Sequence, residues 1–436
     1  MTELLLFMLS AAQAADAAMA LQWQSPVEIA QGKSVRGPWR QNESVYDFVD
    51  DPTVAIDGQG HALVAWVDQA RKDVFFQRFG RDGRPQLPQP VDVSRNPATF
   101  SWLPRLALRP DAPDAVYVLW QEIIFSGGSH GGDMMFARSS DGGRTFSAPL
   151  NLSRSVGGDG KGRINAKLWH NGSFDLAAAS GGVLYAAWTE YDGPLWLSRS
   201  VDSGVTFSAP ARIDTGSARP ARAPTLAVSS RDALHLAWTV GEEQSADIHY
   251  TNSVDGGRNF STPRRLAPSP GYSDAPKLAV DRAGAIHLVH AESDAGPFGR
   301  HHVRHLMSTD GGHSFSAARV VVASVAGAQT AAYPSLAVDD AGRVHVLAEL
   351  GRDGGGRPRG LALATSLDGG RSFAAAREVP GSADPGGGDN GSTQGLLMKK
   401  LALGPDGELA VVNSALRVGS QSRVWLMRGR PVAGAR

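Results

Sequence analysis

An eight-residue motif that recurs five times constrains the fold of this chain more than any other feature. Each copy has a serine, an aspartate two residues later, one or two glycines and a final phenylalanine. The aspartate and the glycines suit a tight turn, because an Asp side chain bonds nearby backbone amides and glycine accepts positive φ. We therefore interpret each aspartate as a structural residue. The copies stand at residues 139–146, 200–207, 253–260, 308–315 and 366–373.

The distance between successive copies is typical of a propeller or another repeat array, at about 53 to 61 residues. A degraded sixth copy runs from Phe79 to Gly83. A second repeat precedes each motif and consists of an apolar strand, an Asp/Gly turn and another apolar strand. Its copies begin at Pro52, Pro104, Phe174, Pro224, Pro276, Pro334 and Lys400.

The two repeats together predict a four-stranded unit. Alternating and near-continuous apolar runs indicate buried strands A and B, and the motif forms the turn between strands C and D. Four strands per unit, repeated around a ring, make a β-propeller. Four tryptophans occupy equivalent positions in strand B, and we expect them to be core residues: Trp66, Trp120, Trp188 and Trp238.

The number of units predicts how the ring closes. There are seven A–B hairpins, and the last is followed by only one further strand, near Arg423–Leu426. The missing fourth strand is available at the other end of the chain, in Trp23–Ile29, and its pairing would remove exposed edges. We predict an all-β propeller of seven four-stranded blades closed by this N-terminal strand, with six blades as the alternative.

The first twenty residues have the pattern of an export signal. An apolar run from Leu4 to Leu9 precedes small residues, and Ala12–Ala14 and Ala18–Ala20 are candidate cleavage sites. The run is too short to span a bilayer. We therefore expect residues 1–20 to be removed, residues 21–436 to form one propeller domain, and the protein to be periplasmic or secreted. A disordered or helical tail is the alternative.

Composition restricts the partners and the chemistry. Lys plus Arg and Asp plus Glu both total 43, so no overall field draws the chain to nucleic acid. The absence of cysteine excludes disulfides and thiolate metal sites. His301 and His305 would lie ~13 Å apart on one strand and could not share an ion. We expect no metal, no cofactor, no nucleic acid and no membrane span, and the oligomeric state is left open.

The two faces of a propeller differ in what they can carry. The A–B and C–D turns lie on one face, and the D–A and B–C connections lie on the other, where long loops can hold a site. Aromatic, acidic and arginine side chains there suit carbohydrate binding, and a solvated rim is the alternative. The candidate ligand-binding residues are Arg36, Trp39, Arg40, Tyr46, Asp50, Trp102, His130, Trp169, His170, Tyr191, Asp192 and Tyr272.

The five turn motifs resemble the Asp boxes of sialidases and other BNR-repeat proteins, and the resemblance extends from about residue 50 onward. It implies a propeller. For a sialidase it also implies three arginines on the substrate carboxylate, a tyrosine nucleophile activated by glutamate, and an aspartate acid. On the matching segments, Arg300 would hold a carboxylate, Tyr333 would attack and Glu349 would orient the site. Asp73 lies near the position of the aspartate acid in the sialidase pattern.

The early blades depart from the sialidase pattern. Asp50–Pro52 stands where the first arginine is expected, so Arg36 or Arg40 would have to replace it. Thr239 and Thr225 stand near the places of the second arginine and the activating glutamate.

We therefore predict a propeller that recognises a glycan or protein ligand on the face opposite the Asp boxes and is not a standard sialidase. The alternatives are an exo-sialidase that uses Tyr333 and Arg300, and a lyase on acidic polysaccharide. A lyase needs a His or Tyr base beside an arginine, which four residues could supply: His130, His170, Tyr191 and Arg163.

Overall fold

The structure is a computed structural model with seven antiparallel blades arranged as a propeller; six blades are four-stranded sheets, and the seventh has two short strands in addition to its four. It describes residues 20–38, 40, 43–126, 129–153, 163–164, 169–170, 173–189, 194–214, 219–241, 243–266, 268–269, 271–297, 299–323, 329–352, 360–383, 389–390, 398–417 and 419–432. The predicted all-β fold and the seven blades are confirmed, so the six-bladed alternative was wrong.

Each blade contributes strands A to D from the axis outward, and the bounds are given in blade order. The A strands are Val49–Ile56, Phe100–Leu108, Phe174–Ala178, Ala221–Val228, Tyr272–Val280, Gln329–Val338 and Leu401–Leu403. The B strands are Ala62–Asp68, Val116–Ser126, Leu184–Thr189, Leu234–Val240, Ile286–Ser293, Val344–Arg352 and Leu409–Arg417. The C strands are Asp73–Phe79, Ser129–Ser139, Leu195–Ser200, Asp247–Ser253, His302–Ser308, Gly360–Ser366 and Gln421–Pro431. The D strands are Val91–Asp92, Leu150–Asn151, Ala211–Arg212, Arg264–Leu266, Arg319–Val322, Arg377–Glu378 and, for blade seven, Val27–Gly32.

The ring closes through the N-terminal segment, as predicted. Val27–Gly32 pairs with strand C of blade seven, and Val27 lies opposite Leu426. Leu21–Trp23 pairs with the far end of the same strand. Blade seven therefore combines both ends of the described chain, which leaves no blade with an unpaired strand C.

Short elements lie outside the regular blades. Val35–Arg36 pairs with Tyr46–Asp47, and Arg163–Ile164 pairs with Trp169–His170. Asp389–Asn390 adds to strand B of blade seven, and Ser180–Gly182 forms one turn of 3-10 helix. Within the described residues, no helix has the length and apolar character needed to cross a membrane.

The Asp boxes are hydrogen-bonded turns, as their composition predicts. In the first box, Ser139 Oγ donates to Asp141 Oδ1 at 2.7 Å and accepts from the Gly143 amide at 2.9 Å. Asp141 Oδ1 also accepts from the Thr145 amide at 2.9 Å. The other four boxes repeat this arrangement. Each aspartate is thus occupied by its own turn.

The core lies between neighbouring blades. The four strand-B tryptophans are at most 3% exposed, which confirms them as core residues. The phenylalanine that ends an Asp box packs on strand C of the preceding blade. Phe315 meets the ring of Tyr250 at 5.1 Å between centroids, and Phe207 meets Phe136 at 4.9 Å. The Asp boxes therefore join the blades as well as turning the chain.

Candidate functional site

The inner strands share an irregularity near the face opposite the Asp boxes. In five blades the pairing between strands A and B shifts at an X-Pro step, and the residue before proline has positive φ. Such bulges re-aim nearby side chains and are common beside functional sites. The five residues are Asp51, Leu103, Ala223, Ala275 and Tyr333, with φ between 46° and 56°.

Three side chains meet beside the bulges of blades four and five. Arg222 Nη2 donates to Asp274 Oδ2 and to the Tyr272 hydroxyl oxygen, both at 2.6 Å. Tyr272 donates its own hydroxyl hydrogen to Asp274 Oδ2. Asp274 Oδ1 accepts from Thr239 Oγ1 at 2.8 Å and from the Ala275 amide at 2.7 Å. The Arg222 side chain is 20% exposed and that of Asp274 only 4%, so the guanidinium presents the cluster to solvent.

The cluster fixes the charges of its members. Burial by itself would raise the pKa of Asp274, but the Arg222 charge and the Tyr272 hydrogen bond outweigh it, and the pKa lies below its ordinary value. Burial and the charge of Asp274 raise the pKa of the Tyr272 hydroxyl far above its ordinary value. At neutral pH the cluster therefore holds a carboxylate, a guanidinium and a protonated phenol.

His301 lies beside the same cluster, and we call the surface formed by Arg222, Tyr272, Asp274 and His301, on the face opposite the Asp boxes, the mouth. It ends the B–C connection of blade five, is half-buried, and lies edge-on to Tyr272 at 5.9 Å between ring centroids. Its backbone is held by blade six, because its amide donates to Thr330 Oγ1 at 2.7 Å. Burial lowers the pKa of its imidazole, so the ring is neutral at neutral pH and can accept a proton.

Tyr333 and Glu349 lie on the adjoining side of the mouth, in blade six. Tyr333 is half-buried at the bulge, and burial, with the charges of Glu349 and Asp274, raises its pKa to about 12. Glu349 is 2% exposed and forms a buried ion pair with Lys400 of blade seven. Lys400 also donates to Asn413 Oδ1 at 2.8 Å. Glu349 thus pairs with a lysine of the next blade.

Asp73 and Arg300 are the other two residues that were predicted to be catalytic. Asp73 begins strand C of blade one, third from the axis, and Oδ1 accepts from Ser94 Oγ at 2.6 Å and the Asn96 amide at 2.8 Å. Burial raises the pKa of its carboxyl. Arg300 is exposed and directly precedes His301.

Two predicted aromatic ligand residues are buried among other rings. Tyr46 is 8% exposed and packs on Phe48 and Phe100, at 5.6 and 5.5 Å between centroids. Trp102 is 6% exposed and packs on Phe100 at 6.4 Å. These rings belong to the hydrophobic core between the early blades, so they offer a sugar little stacking surface.

The remaining predicted ligand residues are only partly described. Asp50 accepts a hydrogen bond from Ser414 of blade seven, and Arg40 is exposed with its amide bonded to Ser44 Oγ at 2.6 Å. Trp39, Tyr191 and Asp192 lie outside the described residues. The side chains of four others also lie outside them: Arg36, His130, Trp169 and His170.

Of the residues in this cluster, the sequence analysis singled out Tyr272 as a candidate and did not single out Arg222 or His301. The arginine could have been found from its position relative to the proline of the repeat. Arg222 and Asp274 both stand two residues before the repeat proline of their blades, so adjacent blades bring these positions together. Among the described residues, no three His, Asp or Glu side chains gather in a metal-binding group.

The fold and the boxes define an Asp-box propeller with a polar mouth on the opposite face. The chain belongs to the BNR repeat-like domain family, whose model matches residues 84–346, more than half of its length. A search of curated proteins found no match.

Solved structures with the same fold include polysaccharide lyases. An ulvan lyase of a new polysaccharide lyase family, bound to -[GlcA(1-4)Rha3S]-, is similar with a TM-score of 0.55 and 13% identity, over 92% of this chain and 95% of that one. A protein of unknown function from Dyadobacter fermentans DSM 18053 gives 0.51 and 12%, over 94% and 100%. The polysaccharide lyase Uly1 gives 0.50 and 10%, over 88% and 90%. At these identities the likeness shows a shared fold alone.

Proposed function

We propose that this chain is an exported propeller that recognises an acidic glycan at the mouth opposite the Asp boxes. The observation that carries the proposal is the partly exposed guanidinium of Arg222, held in place by Asp274 and Tyr272. A fixed guanidinium binds carboxylate or sulfate oxygens through strong, charge-assisted hydrogen bonds. The half-buried His301 and Tyr333 add polar groups around it.

The architecture supports a sugar as the ligand. The ulvan lyase of the same fold was solved with a glucuronic acid and 3-sulfated rhamnose ligand, so this fold can present an acidic sugar to protein groups. The balanced overall charge of the chain favours recognition by a local arginine over attraction to any polyanion. Export, predicted from the first twenty residues, would place the protein where such polysaccharides occur.

Calorimetric titration with glucuronate-containing oligosaccharides tests the proposal. The corresponding neutral oligosaccharides are titrated separately for comparison. Removing one charged hydrogen-bond donor costs binding about 1.5–3 kcal/mol, so Arg222→Gln should weaken affinity roughly tenfold to a hundredfold. Arg222→Lys keeps a cation beside the buried Asp274 and should also lose affinity. Arg231→Gln, at the A–B turn of the same blade on the opposite face, is the matched control.

The titrations separate recognition from a change in folding. Each variant needs an unchanged far-ultraviolet spectrum and a cooperative melt before its affinity is compared. Equal affinity in wild type and Arg222→Gln, or preference for the neutral oligosaccharide, would remove Arg222 as the acid-binding group. No binding of any acidic oligosaccharide by the wild-type protein would remove the proposed function.

A second candidate function is β-elimination on a uronate polysaccharide, favoured by the position of His301 and Tyr272 beside Arg222. In this reaction Arg222 would neutralise the uronate carboxylate, and neutral His301 would remove the C5 proton. The C4–O bond breaks, a C4=C5 double bond forms, and the leaving oxygen takes a proton from the Tyr272 hydroxyl. The raised pKa of Tyr272 keeps the phenol protonated at neutral pH, which argues against a phenolate base.

The lyase candidate has a direct optical test. An unsaturated uronate absorbs in the ultraviolet, so incubation with ulvan, alginate, pectate or hyaluronan should raise absorbance if elimination occurs. His301→Gln should then lose activity while it retains oligosaccharide binding. Binding without any rise in absorbance leaves recognition as the function and removes the lyase.

The sialidase alternative rests on Tyr333 and Arg300, and two features weigh against it. The raised pKa of Tyr333 makes its hydroxyl a poor nucleophile. Glu349 is engaged by Lys400. Release of a fluorophore from a fluorogenic sialoside, abolished in Tyr333→Phe, would restore this alternative.

A further inference from the structure

A groove runs between blades four and five on the face that carries the Asp boxes, opposite the mouth. The A–B turns of both blades and the Asp box of blade five form its walls, and its volume is about 880 Å³. Pockets at the seams between blades one and two and between blades two and three hold only about 330 and 400 Å³. The groove lies within the size range of small-molecule sites, about 300–1,000 Å³.

One short side chain accounts for the larger space. Arg78 and Arg138 directly precede the box serine or its equivalent in blades one and two, and each lines the smaller pocket at its seam. Asn252 stands at this position in blade four. A Cβ on Gly142, in the box of blade two, would lie 2.7 Å from Arg78 Nη1, whereas one on Gly311, in the box of blade five, would meet nothing within 4 Å. The space that an arginine fills beneath one box is therefore open beneath the other.

A buried histidine forms part of the groove lining. His235 is 3% exposed, and its Nδ1 lies 2.7 Å from the hydroxyl oxygen of Tyr250. Its Nε2 has no hydrogen-bond partner among the residues that the structure describes. Because burial lowers the pKa of His235 to about 4, the ring is neutral at neutral pH, and Nε2 is the polar nitrogen left for a ligand.

The acidic and basic side chains of the groove balance one another. Among its Arg, Lys, Asp and Glu residues, Arg231 and Arg282 are matched by Asp255 and Asp310. Hydrogen bonds within their own Asp boxes hold the pKa of both carboxyls well below the ordinary value, so both are ionised at neutral pH. A lining with balanced charges gives no electrostatic preference for an acidic or a basic ligand.

The other lining groups suit a ligand rich in hydroxyls. Side-chain hydroxyls and amides both donate and accept hydrogen bonds, as sugar hydroxyls do. Val254, whose exposed fraction is 83%, and the partly buried Phe260 add apolar surface on which the C–H groups of a sugar can pack. The hydroxyl and amide residues are Ser229, Ser230, Ser261, Thr309, Asn252 and Asn259.

We propose that the groove between blades four and five is a second glycan-binding site, which takes a neutral oligosaccharide. Its hydroxyl and amide groups would bond the sugar hydroxyls, and His235 would reach the ligand from the groove lining. The protein would then bind an acidic glycan at the mouth and a neutral glycan on the opposite face. The groove shares no residue with the mouth, so this proposal does not rest on the mouth.

Calorimetric titration of the full chain with neutral tetrasaccharides tests the groove. The panel is cellotetraose, xylotetraose, mannotetraose and maltotetraose, and at least one should bind the wild-type protein saturably. Asn252→Arg introduces the residue that blades one to three carry at this position, so the variant should fold, and by filling the groove it should raise Kd about tenfold or more. Met307→Arg is the same replacement at the equivalent position of blade five and should leave Kd unchanged.

An NMR titration of the wild-type protein covers the case in which Asn252→Arg does not fold. The ring signals of His235, assigned by comparison with His235→Gln, should shift saturably with the sugar that binds. No binding by any member of the panel, an unchanged Kd in Asn252→Arg, or binding that leaves the His235 signals in place would overturn the proposal.

The mouth variant separates the two sites. Arg222→Gln should bind the neutral tetrasaccharide as wild type does, and a weaker affinity would place that sugar at the mouth and overturn the proposal. Titrations of the mouth with neutral oligosaccharides are repeated in Asn252→Arg, in which the groove is filled.

Discussion

Tyr333 combines an unfavourable backbone conformation with a place at the candidate mouth. Its φ of 50° puts a bulky residue in the left-handed region directly before a proline. Glycine adopts this region without the Cβ clash, so Tyr333→Gly should be more stable than Tyr333→Ala by about 1 kcal/mol. Urea unfolding measures the difference, and both variants lose the same ring.

The sign of that difference is the informative result. At an ordinary strand position glycine is less stable than alanine. Ala337→Gly, four residues further along the same strand, should therefore lower the free energy of unfolding by about 0.5–1 kcal/mol. If Tyr333→Ala proved as stable as Tyr333→Gly, the bulge would not impose strain on residue 333.

Individual site residues could be predicted only where the signal was local. Tyr333 and Glu349 were singled out because short segments around them resemble sialidase segments. The partner of Glu349 could not be read in the same way, because Lys400 comes from the next blade. Arg222 and Tyr272 likewise meet only through the adjacency of blades four and five. A contact that depends on this packing has no short-range pattern in the sequence.

At the scale of elements, the two glycines of an Asp box have separate roles. Gly311 and Gly312 both have positive φ, at 73° and 87°. A Cβ on Gly311 would meet nothing within 4 Å, whereas one on Gly312 would collide with the Tyr250 hydroxyl of the preceding blade. Gly311→Ala should therefore cost about 1 kcal/mol for the backbone alone. Gly312→Ala should cost a further ~1–3 kcal/mol for overpacking.

Urea unfolding of the two alanine variants compares these costs within one turn. A second pair is available in the next box, where Gly369 is open and Gly370 faces His305. Equal losses for the two alanines in both boxes would show that the turns do not lock neighbouring blades together.

Turns and hairpins were the elements most open to prediction, because their chemistry is local. The Asp-box bonds, the strand alternation and the buried tryptophans all follow from residue type and spacing. The mouth was harder, since its cluster forms only where strands A of adjacent blades meet, and many of the predicted ligand residues lie in connections that lack a repeat. Tyr46 and Trp102 show the difficulty. The presence of an aromatic residue does not by itself distinguish a ring that stacks on a sugar from a ring in the hydrophobic core, where both of these lie.

For the whole molecule, counting predicted the closure. Seven A–B hairpins and an incomplete last unit required a strand from elsewhere, and Val27–Gly32 supplies it. The same packing of blade against blade buries a set of histidines in blades four to six: His235, His287, His290, His305 and His345. These buried rings make the stability of the whole ring dependent on pH.

Burial lowers the pKa of His235, His290 and His345 to about 4 and that of His305 to about 3. Above their ordinary pKa of 6.5 these histidines are neutral in both states. Below it the unfolded chain takes up protons that the folded chain refuses, so the free energy of unfolding falls as the pH drops toward 4. Each histidine contributes about 1.4 kcal/mol per pH unit to that fall.

The pKa values of buried Glu122 and Glu349 are raised, so these two groups increase the free energy of unfolding as the pH falls. Because they oppose the histidines, single variants give the cleanest test. His345→Gln keeps a polar group near Thr365, its partner at 3.2 Å. Between pH 6.5 and 4 its unfolding free energy should fall less steeply than that of wild type, by about 1.4 kcal/mol per pH unit. His313→Gln, at an exposed residue in an Asp box, should run parallel to wild type. Urea unfolding measures all three slopes, and a His345→Gln curve parallel to wild type would mean that His345 takes up its proton equally in the folded and unfolded chain.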